Sequence, residues 1–201
     1  MIDLESVWDK IHLCCQQYKK EYLSLLENIF IPLNPKIVVE LGSHAGGSFW
    51  GFCEASSKDA MLISIDRNHG GDSDKIKKFH KNAITITGDT QDKNNLMLVK
   101  NIIEDKEIDF LFIDADHTYD GVKKDFEVWS PLVRDNGIIA LHDIVYHPHN
   151  KECNVNKFWI KLKTYNQYSP WKSEEYHFEP NQYNRGIGVL QKNNYSDKFV
   201  F

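Results

Sequence analysis

The sequence predicts an α/β fold in which a mostly parallel sheet carries helices on both faces. Strand-like apolar runs alternate with helix-like runs through the middle of the chain, and neighbouring parallel strands require such crossover connections. The last two strand-like runs are separated by a short turn-rich segment, which indicates an antiparallel hairpin that closes the sheet. No internal repeat or low-complexity linker divides the chain, so we expect a single domain over residues 1–201.

The amino-terminal segment is predicted to be an amphipathic helix because its apolar residues recur at helical spacing. Pro32 and Pro35 end this pattern, since proline cannot continue a helix. We expect residues 1–30 to form a helical cap on the domain. The pattern leaves open whether the apolar stripe packs on its own sheet or on a second subunit of a homo-oligomer.

The sheet is predicted to begin after this cap. Five strands are expected at Lys36–Leu41, Ala60–Asp66, Ala83–Gly88, Ile108–Asp114 and Gly137–Asp143. The helices between them are expected near Gly47–Ser57, Asp74–Lys81, Asp92–Glu104 and Tyr119–Val133. A polar loop then leads to a helix at Asn154–Tyr165 and to hairpin strands at Trp171–Phe178 and Arg185–Leu190.

Composition excludes several function classes. The net charge of -5 argues against a dedicated nucleic-acid binder. No segment has the apolar length that spans a bilayer, and the opening "MIDLESVWDK" lacks the features of a signal peptide. The four cysteines show no disulfide framework, so we expect reduced thiols in a cytoplasmic protein.

The segment "VVELGSHAGGSFW" joins the first strand to the next helix and marks the expected cofactor site. A dinucleotide fingerprint needs a second glycine two residues after Gly42, where this chain has His44, so close approach of a diphosphate is impeded. Glu40 would repel phosphate but would favour a cationic ligand. S-adenosylmethionine carries a sulfonium and an ammonium and has no phosphate. Further candidate contacts in this turn are Ser43, Gly46, Gly47 and Ser48.

Two acids that follow the next strands are expected to hold the nucleoside. Asp66 ends the second strand about 20 residues beyond the glycines, where an acid commonly binds ribose hydroxyls, and Arg67 adjoins it. In "GDT" after the third strand, Asp89 is positioned to accept from an adenine amine. Gly88 belongs to the same turn, and Thr90 is expected to cap the following helix.

With these residues placed, the chain resembles class I S-adenosylmethionine-dependent methyltransferases over Lys36–Asp143. The segments "VVELGSHAGGSFW", "ISIDRN" and "FIDADHTYDGVKKDFEVWSPLVRDNGIIALHDI" resemble a bacterial group that includes so-called cephalosporin hydroxylases and macrolide-sugar O-methyltransferases. The resemblance implies a Rossmann-like, seven-stranded sheet in the order 3-2-1-4-5-7-6 with the last strand antiparallel. It also implies that His117 borders the cofactor's adenine and the active site, where it either accepts a proton or has a structural role at the turn. Asp114 and Ala115 in the same segment are further candidate cofactor contacts.

Candidate catalytic groups end the fourth and fifth strands. In the metal-dependent O-methyltransferases that the chain resembles, the positions of Asp114, His142 and Asp143 hold magnesium. Here His142 departs from the usual carboxylate or amide, and imidazole suits zinc, manganese or iron better than magnesium. Three hypotheses remain: a softer metal, magnesium on Asp114 and Asp143 alone, or no metal with His142 or His117 as general base.

The loop after Asp143 holds a second group of potential metal ligands. His147, His149 and Cys153 have spacing that could bind zinc together with His142. An acceptor-binding loop is the favoured interpretation of this segment.

The leading function is methyl transfer to a hydroxyl group of a small acceptor such as a sugar, with or without a divalent cation (Mg, Mn or Zn). The sequence "DADH" after the fourth strand differs from the N/D-P-P-Y/F motif of nucleic-acid amino methylation, which argues against that substrate class. One alternative is a nicotinamide-dependent oxidoreductase. Another is an accessory protein that binds the cofactor without turnover.

Overall fold

The computed structural model describes residues 2–69, 80–166, 172–176 and 185–192. Within these ranges seven strands form one sheet in the order β3-β2-β1-β4-β5-β7-β6. The strands are β1 (Ile37–Leu41), β2 (Met61–Asp66), β3 (Ala83–Thr87), β4 (Ile108–Ile113), β5 (Val133–His142), β6 (Lys172–Tyr176) and β7 (Ile187–Gln191). Strands β1 to β5 are parallel, and β7 is antiparallel to β5 and β6. The predicted fold class and strand order are confirmed.

Helices cover both faces of this sheet because the strands are apolar on both sides. The longer helices are α1 (Leu4–Ile11), α2 (Lys19–Leu25), α3 (Gly47–Ala55), α4 (Lys93–Ile102), α5 (Tyr119–Trp129) and α6 (Val155–Asn166). A π-helix at Leu26–Phe30 and a short α-helix at Ile31–Leu33 follow α2, and a short 3₁₀ helix at Ser130–Leu132 follows α5. In β1, Val38 packs in the cluster that contains residues of α1 to α3, whereas Val39 packs with residues of α4 to α6. No helix in the described part of the chain is long and apolar enough to cross a bilayer.

Local capping explains where several helices begin. Asp3 accepts hydrogen bonds from two backbone amides of α1, and Thr118 accepts one from the first turn of α5. The cap of α4 is Asp92, so the predicted cap at Thr90 is wrong, because the Thr90 hydroxyl instead donates to Asp125. Residues 74–79 of the predicted helix Asp74–Lys81 lie outside the described residues.

The amino-terminal segment differs from the predicted continuous helix. Helix α1 ends at Ile11 and α2 begins at Lys19, and residues 12–18 form a loop between them. Tertiary contacts favour the loop over helix: the Cys15 backbone packs closely on Gly47, where an added Cβ would lie 2.2 Å from the Cys15 nitrogen. Both helices pack on the chain's own sheet, since Ile11 and Tyr22 are buried in the cluster of α3. We name residues 12–18 the interhelical loop.

Candidate active site

A cavity of about 250 Å³ lies at the carboxyl ends of β1, β2, β4 and β5. This is where open parallel sheets bind ligands, because the connections leave the sheet there in opposite directions. The interhelical loop contributes one wall of the cavity through Cys14, Gln16 and Gln17. Most of the other lining residues follow the four strands, and Arg185 precedes β7.

The turn after β1 has the backbone conformation that its glycine requires. Gly42 has φ 81°, and a Cβ there would lie 2.1 Å from the carbonyl oxygen of Asp114, so no side chain fits. His44 also has positive φ, at 47°, which is uncommon for a residue other than glycine. The turn therefore holds a strained backbone against the end of β4.

Asp66 holds the turn in this conformation. Its Oδ2 accepts hydrogen bonds from the backbone amides of Ser43 at 2.8 Å and His44 at 2.7 Å. Burial raises the pKa of Asp66, but these bonds and one from Asn68 outweigh it and lower the pKa below its ordinary value. The carboxylate predicted to bind ribose therefore also shapes the glycine turn.

Glu40 lies within β1 and is fully buried. Neither of its carboxyl oxygens has a hydrogen-bond partner of ordinary geometry among the described residues. Burial raises the pKa of Glu40 well above its ordinary value, since the charged form loses its hydration, and the nearby hydroxyls of Ser48 and Ser64 offset this only in part. A cation bound near the glycine turn would therefore stabilise the ionised form of Glu40.

Two carboxylates and two imidazoles meet at the ends of β4 and β5. His117 Nε2 lies 3.2 Å from Asp114 Oδ1 and 3.1 Å from Asp143 Oδ2. His142 Nδ1 lies 3.1 Å from the same Asp114 oxygen and 3.4 Å from the same Asp143 oxygen. Asp114 Oδ1 and Asp143 Oδ2 therefore face the same pair of imidazole nitrogens.

These ion pairs shift the pKa of each member of the cluster. Burial alone would raise the pKa values of Asp114 and Asp143, but His142 and the other neighbouring donors lower both. The hydrogen bond to Asp114 raises the pKa of His117. Burial would lower the pKa of His142, but the two carboxylates raise it well above its ordinary value.

Asp143 has further donors around it. His147 Nε2 donates to Asp143 Oδ1 at 3.0 Å, and Arg185 Nη1 lies 3.5 Å from the same oxygen. The backbone of Asp143 has φ 59°, and the residue is 1% exposed. A buried carboxylate in a left-handed backbone conformation persists only where its surroundings stabilise it, and such residues cluster at functional sites.

Gln17 connects the interhelical loop to this cluster. Its Nε2 donates to Asp114 Oδ2 at 2.7 Å, and its Oε1 accepts from the Cys15 thiol at 3.1 Å. Gln17 is 6% exposed, so the bond to Asp114 is shielded from water. The loop is thereby fixed to a carboxylate that lies 97 residues away in sequence.

Comparison with known proteins identifies the family of this chain. A family model described as a methyltransferase domain matches residues 39–144, which is more than half of the chain. The chain belongs to this methyltransferase family. The resemblance to class I S-adenosylmethionine-dependent methyltransferases is confirmed.

Solved structures share the fold of this methyltransferase domain. The O-methyltransferase TomG from Streptomyces achromogenes, in complex with SAM, is 12% identical with a TM-score of 0.68, covering 95% of this chain and 89% of that one. The O-methyltransferase from Bacillus cereus, in complex with SAH, is 14% identical with a TM-score of 0.65, covering 94% and 90%.

A curated relative is the protein y4gI from Sinorhizobium fredii. It is 28% identical over an alignment of 140 residues, and the match covers 65% of this chain. The match spans 15% of the length of y4gI.

Most residues predicted to bind the cofactor line the cavity of the methyltransferase. They are Gly42, Ser43, His44, Ser48, Asp66, Arg67, Thr90, Asp114, Ala115 and His117, and the predicted catalytic residues His142 and Asp143 line it too. Glu40, Gly46, Gly47, Gly88 and Asp89 do not line it. Gly47 packs under the interhelical loop, and Asp89 pairs with Arg67 at 3.0 Å. The functional roles of all these residues stay predictions.

The predicted metal ligands Asp114, His142 and Asp143 lie together, since His142 Nδ1 is 3.1 Å from Asp114 Oδ1 and 3.4 Å from Asp143 Oδ2. Among the described residues, Asp114, His117 and Asp143 also form a group whose ligand atoms lie within 4.8 Å of one another, so His117 is a further candidate ligand. The loop group of His147, His149 and Cys153 does not converge within the described part of the chain, because His147 bonds to Asp143 and Cys153 is buried in the core.

Sequence reasoning missed several cavity residues, namely Cys14, Gln16, Gln17, Ile65, Asp116 and Arg185. The pair Gln16 and Gln17 carried a signal, since two adjacent amides interrupt an apolar helical pattern. No sequence signal pointed to Arg185, because an arginine just before a strand of a hairpin is common.

We predict that Asp66→Ala weakens the binding of S-adenosylhomocysteine by about 1 to 3 kcal/mol, since it removes the hydrogen bonds that shape the turn and any to ribose. Titration calorimetry measures the change. The matched control is Asp59→Ala, which removes an exposed carboxylate paired with Lys36 and should leave affinity unchanged. Wild-type affinity in the Asp66 variant would contradict the prediction.

We predict that Glu40→Gln stabilises the unliganded protein at neutral pH and weakens the binding of S-adenosylmethionine. In the unfolded chain Glu40 ionises near its ordinary pKa of about 4.3. In the folded chain its pKa is raised, so the wild-type free energy of unfolding falls by up to about 1.4 kcal/mol per pH unit above that value. The substituted amide cannot ionise, so this fall is absent in the variant.

Urea unfolding at a series of pH values checks the Glu40 prediction. Other titrating groups are common to both proteins, so the difference between the two curves isolates Glu40. If the free energy of unfolding changed with pH in the same way in both proteins, Glu40 would ionise as readily in the folded protein as in the unfolded chain. That result would contradict the prediction.

Proposed function

We propose that this domain transfers a methyl group from S-adenosylmethionine to a hydroxyl group of a small acceptor, such as a sugar, with His117 as the general base. The observation that carries the proposal is His117 Nε2 held between Asp114 and Asp143 on the wall of the cavity that the glycine turn also lines. The solved structures of the same fold that are named O-methyltransferases support the reaction class.

The residues of the turn fit S-adenosylmethionine better than a dinucleotide. His44 stands where a pyrophosphate would approach the backbone, and the amides of Ser43 and His44 already donate to Asp66. The buried Glu40, without a hydrogen-bond partner in the described residues, favours a cation nearby. When bound, S-adenosylmethionine supplies an electrophilic methyl group, so the protein has to orient the acceptor and remove its proton.

His117 is better placed for that proton transfer than His142. The His117 side chain is 41% exposed, whereas that of His142 is 4% exposed with its Nε2 buried. In the neutral ring, donation from Nε2 to the carboxylates leaves Nδ1 of His117 as the proton acceptor. His142 then acts as a positioning residue that holds Asp114 and Asp143 together.

A divalent cation would also fit this cluster, held by Asp114, His117 and Asp143. A ligand set of two carboxylates and an imidazole suits manganese, iron or zinc better than magnesium. Such an ion would lower the pKa of the acceptor hydroxyl. However, Arg185 and His142, whose pKa is raised, already lie beside Asp143, and His147 bonds to it, so this carboxylate has partners without a metal.

The two alternative functions are less well supported. A nicotinamide-dependent oxidoreductase would need the close phosphate approach that His44 impedes. A non-catalytic accessory protein would not need His117 to remain accessible beside two ionised carboxylates.

Cofactor binding and methyl transfer test the proposal directly. We expect titration calorimetry to show binding of S-adenosylhomocysteine and no comparable binding of NADH. With labelled S-adenosylmethionine and a panel of hydroxylated acceptors, we expect transfer to persist in chelator-treated protein. Tight NADH binding without a response to S-adenosylhomocysteine would favour the oxidoreductase. Transfer that is restored only by manganese or zinc would instead assign Asp114, His117 and Asp143 to a metal.

We predict that His117→Gln lowers kcat by about 10² to 10⁴-fold, because the general base is lost. A base acts only after it loses its proton, so wild-type kcat should rise with pH through the pKa of His117. That pKa is raised, so the rise lies above the ordinary histidine value of about 6.5 and disappears in the variant.

The control for His117 is His149→Gln, which alters an exposed histidine of the loop after β5. It should retain the wild-type pH profile, and both variants should still bind S-adenosylhomocysteine. A pH profile that is unchanged in His117→Gln would remove His117 as the base.

A further inference from the structure

A second cavity, of about 370 Å³, adjoins the active-site cavity. It is lined by Trp8, Gln16, Gln17, Tyr18, Lys19 and Arg185. Gln16, Gln17 and Arg185 line the active-site cavity as well, so the two spaces share a wall. We name this space the outer cavity, and it is more open to solvent than the active-site cavity.

The lining of the outer cavity carries positive charge and no carboxylate. Lys19 and Arg185 are the charged groups, and their side chains are 40% and 41% exposed. Lys19 Nζ pairs at 2.7 Å with Glu5, which is not a lining residue. An anion in the outer cavity would therefore meet two cations, and it would compete with Glu5 for Lys19 and with Asp143 for Arg185.

Arg185 lies at the junction between the outer cavity and the catalytic cluster. Its Nη1 is 3.5 Å from Asp143 Oδ1, which is longer than a strong charge-assisted hydrogen bond. A guanidinium has several donors in a planar fork, so Arg185 can bind a phosphate or carboxylate while it remains near Asp143.

The remaining lining groups suit a ring with hydroxyl groups. Trp8 and Tyr18 offer apolar ring faces with polar edges, and Gln16 and Gln17 offer amides. Gln17 is fixed by its bond to Asp114, so it holds the wall between the outer cavity and the catalytic cluster in place.

We propose that the outer cavity is the acceptor subsite and that the acceptor is a hydroxylated ring compound carrying a phosphate or carboxylate, bound by Arg185 and Lys19. The inference rests on the proposed methyl transfer and specifies its acceptor class. With the anionic group on Arg185, the ring lies along the wall that both cavities share, and its hydroxyl group faces His117.

The test compares charged and neutral forms of one sugar. Glucose, a glucose phosphate and glucuronate are titrated separately into the full chain loaded with S-adenosylhomocysteine. We expect one of the two anions to bind about tenfold or more tightly than glucose, and its affinity to fall with added salt. A preference for the glucose phosphate identifies phosphate as the anionic group, and a preference for glucuronate identifies carboxylate.

Variants locate the preference in the outer cavity. Arg185→Gln and Lys19→Gln should each reduce the preference for the anion, whereas Lys10→Gln, which alters a lysine paired with Glu54 outside that cavity, should retain it. Equal binding of glucose and both anions, no binding of either anion, or a preference retained in both cavity variants would overturn the inference. Failure to load S-adenosylhomocysteine would instead overturn the proposed function.

Discussion

The close approach of Asp114 and Asp143 is the constraint on which the rest of the site depends. Parallel pairing of β4 with β5 brings the ends of both strands to one edge, and two like charges there are unfavourable unless positive groups neutralise them. Arg185 and His142, whose pKa is raised, are the positive groups, and His117 and His147 place ring nitrogens beside the same carboxylates from two further positions. The cluster thus connects the loops after β4 and β5 with the residue Arg185 that precedes β7.

The sheet was predictable from sequence because its signals are local and repeated. Apolar runs such as "KIVVEL" and "IDFLFID" carry an acid at or next to their last residue, and their alternation with helices leaves few topologies. The strand order itself came from a family resemblance. The cavity position followed from the same reasoning, since Gly42, Asp66 and Asp114 each end a strand or follow one.

The parts that sequence did not predict depend on contacts between distant segments. The spacing of apolar residues did not predict that the helix ends at Ile11. That end depends on two tertiary contacts, the packing of the Cys15 backbone on Gly47 and the hydrogen bond from Gln17 to Asp114. Likewise, the spacing of His117, His142 and Asp143 could not tell which imidazole remains accessible. The fold determines which imidazole is accessible: the side chain of His142 is 4% exposed, and that of His117 is 41% exposed.

The two glutamines of the interhelical loop differ in what a substitution would change. It contributes Gln16 and Gln17 to both cavities, yet it lies outside residues 39–144 that define the family. The same segment is held in place by the Cys15 backbone on Gly47 and by the Gln17 bond to Asp114. A change of the Gln16 side chain would therefore alter the wall of both cavities while it keeps these two contacts, whereas a change of Gln17 would also remove a partner of Asp114.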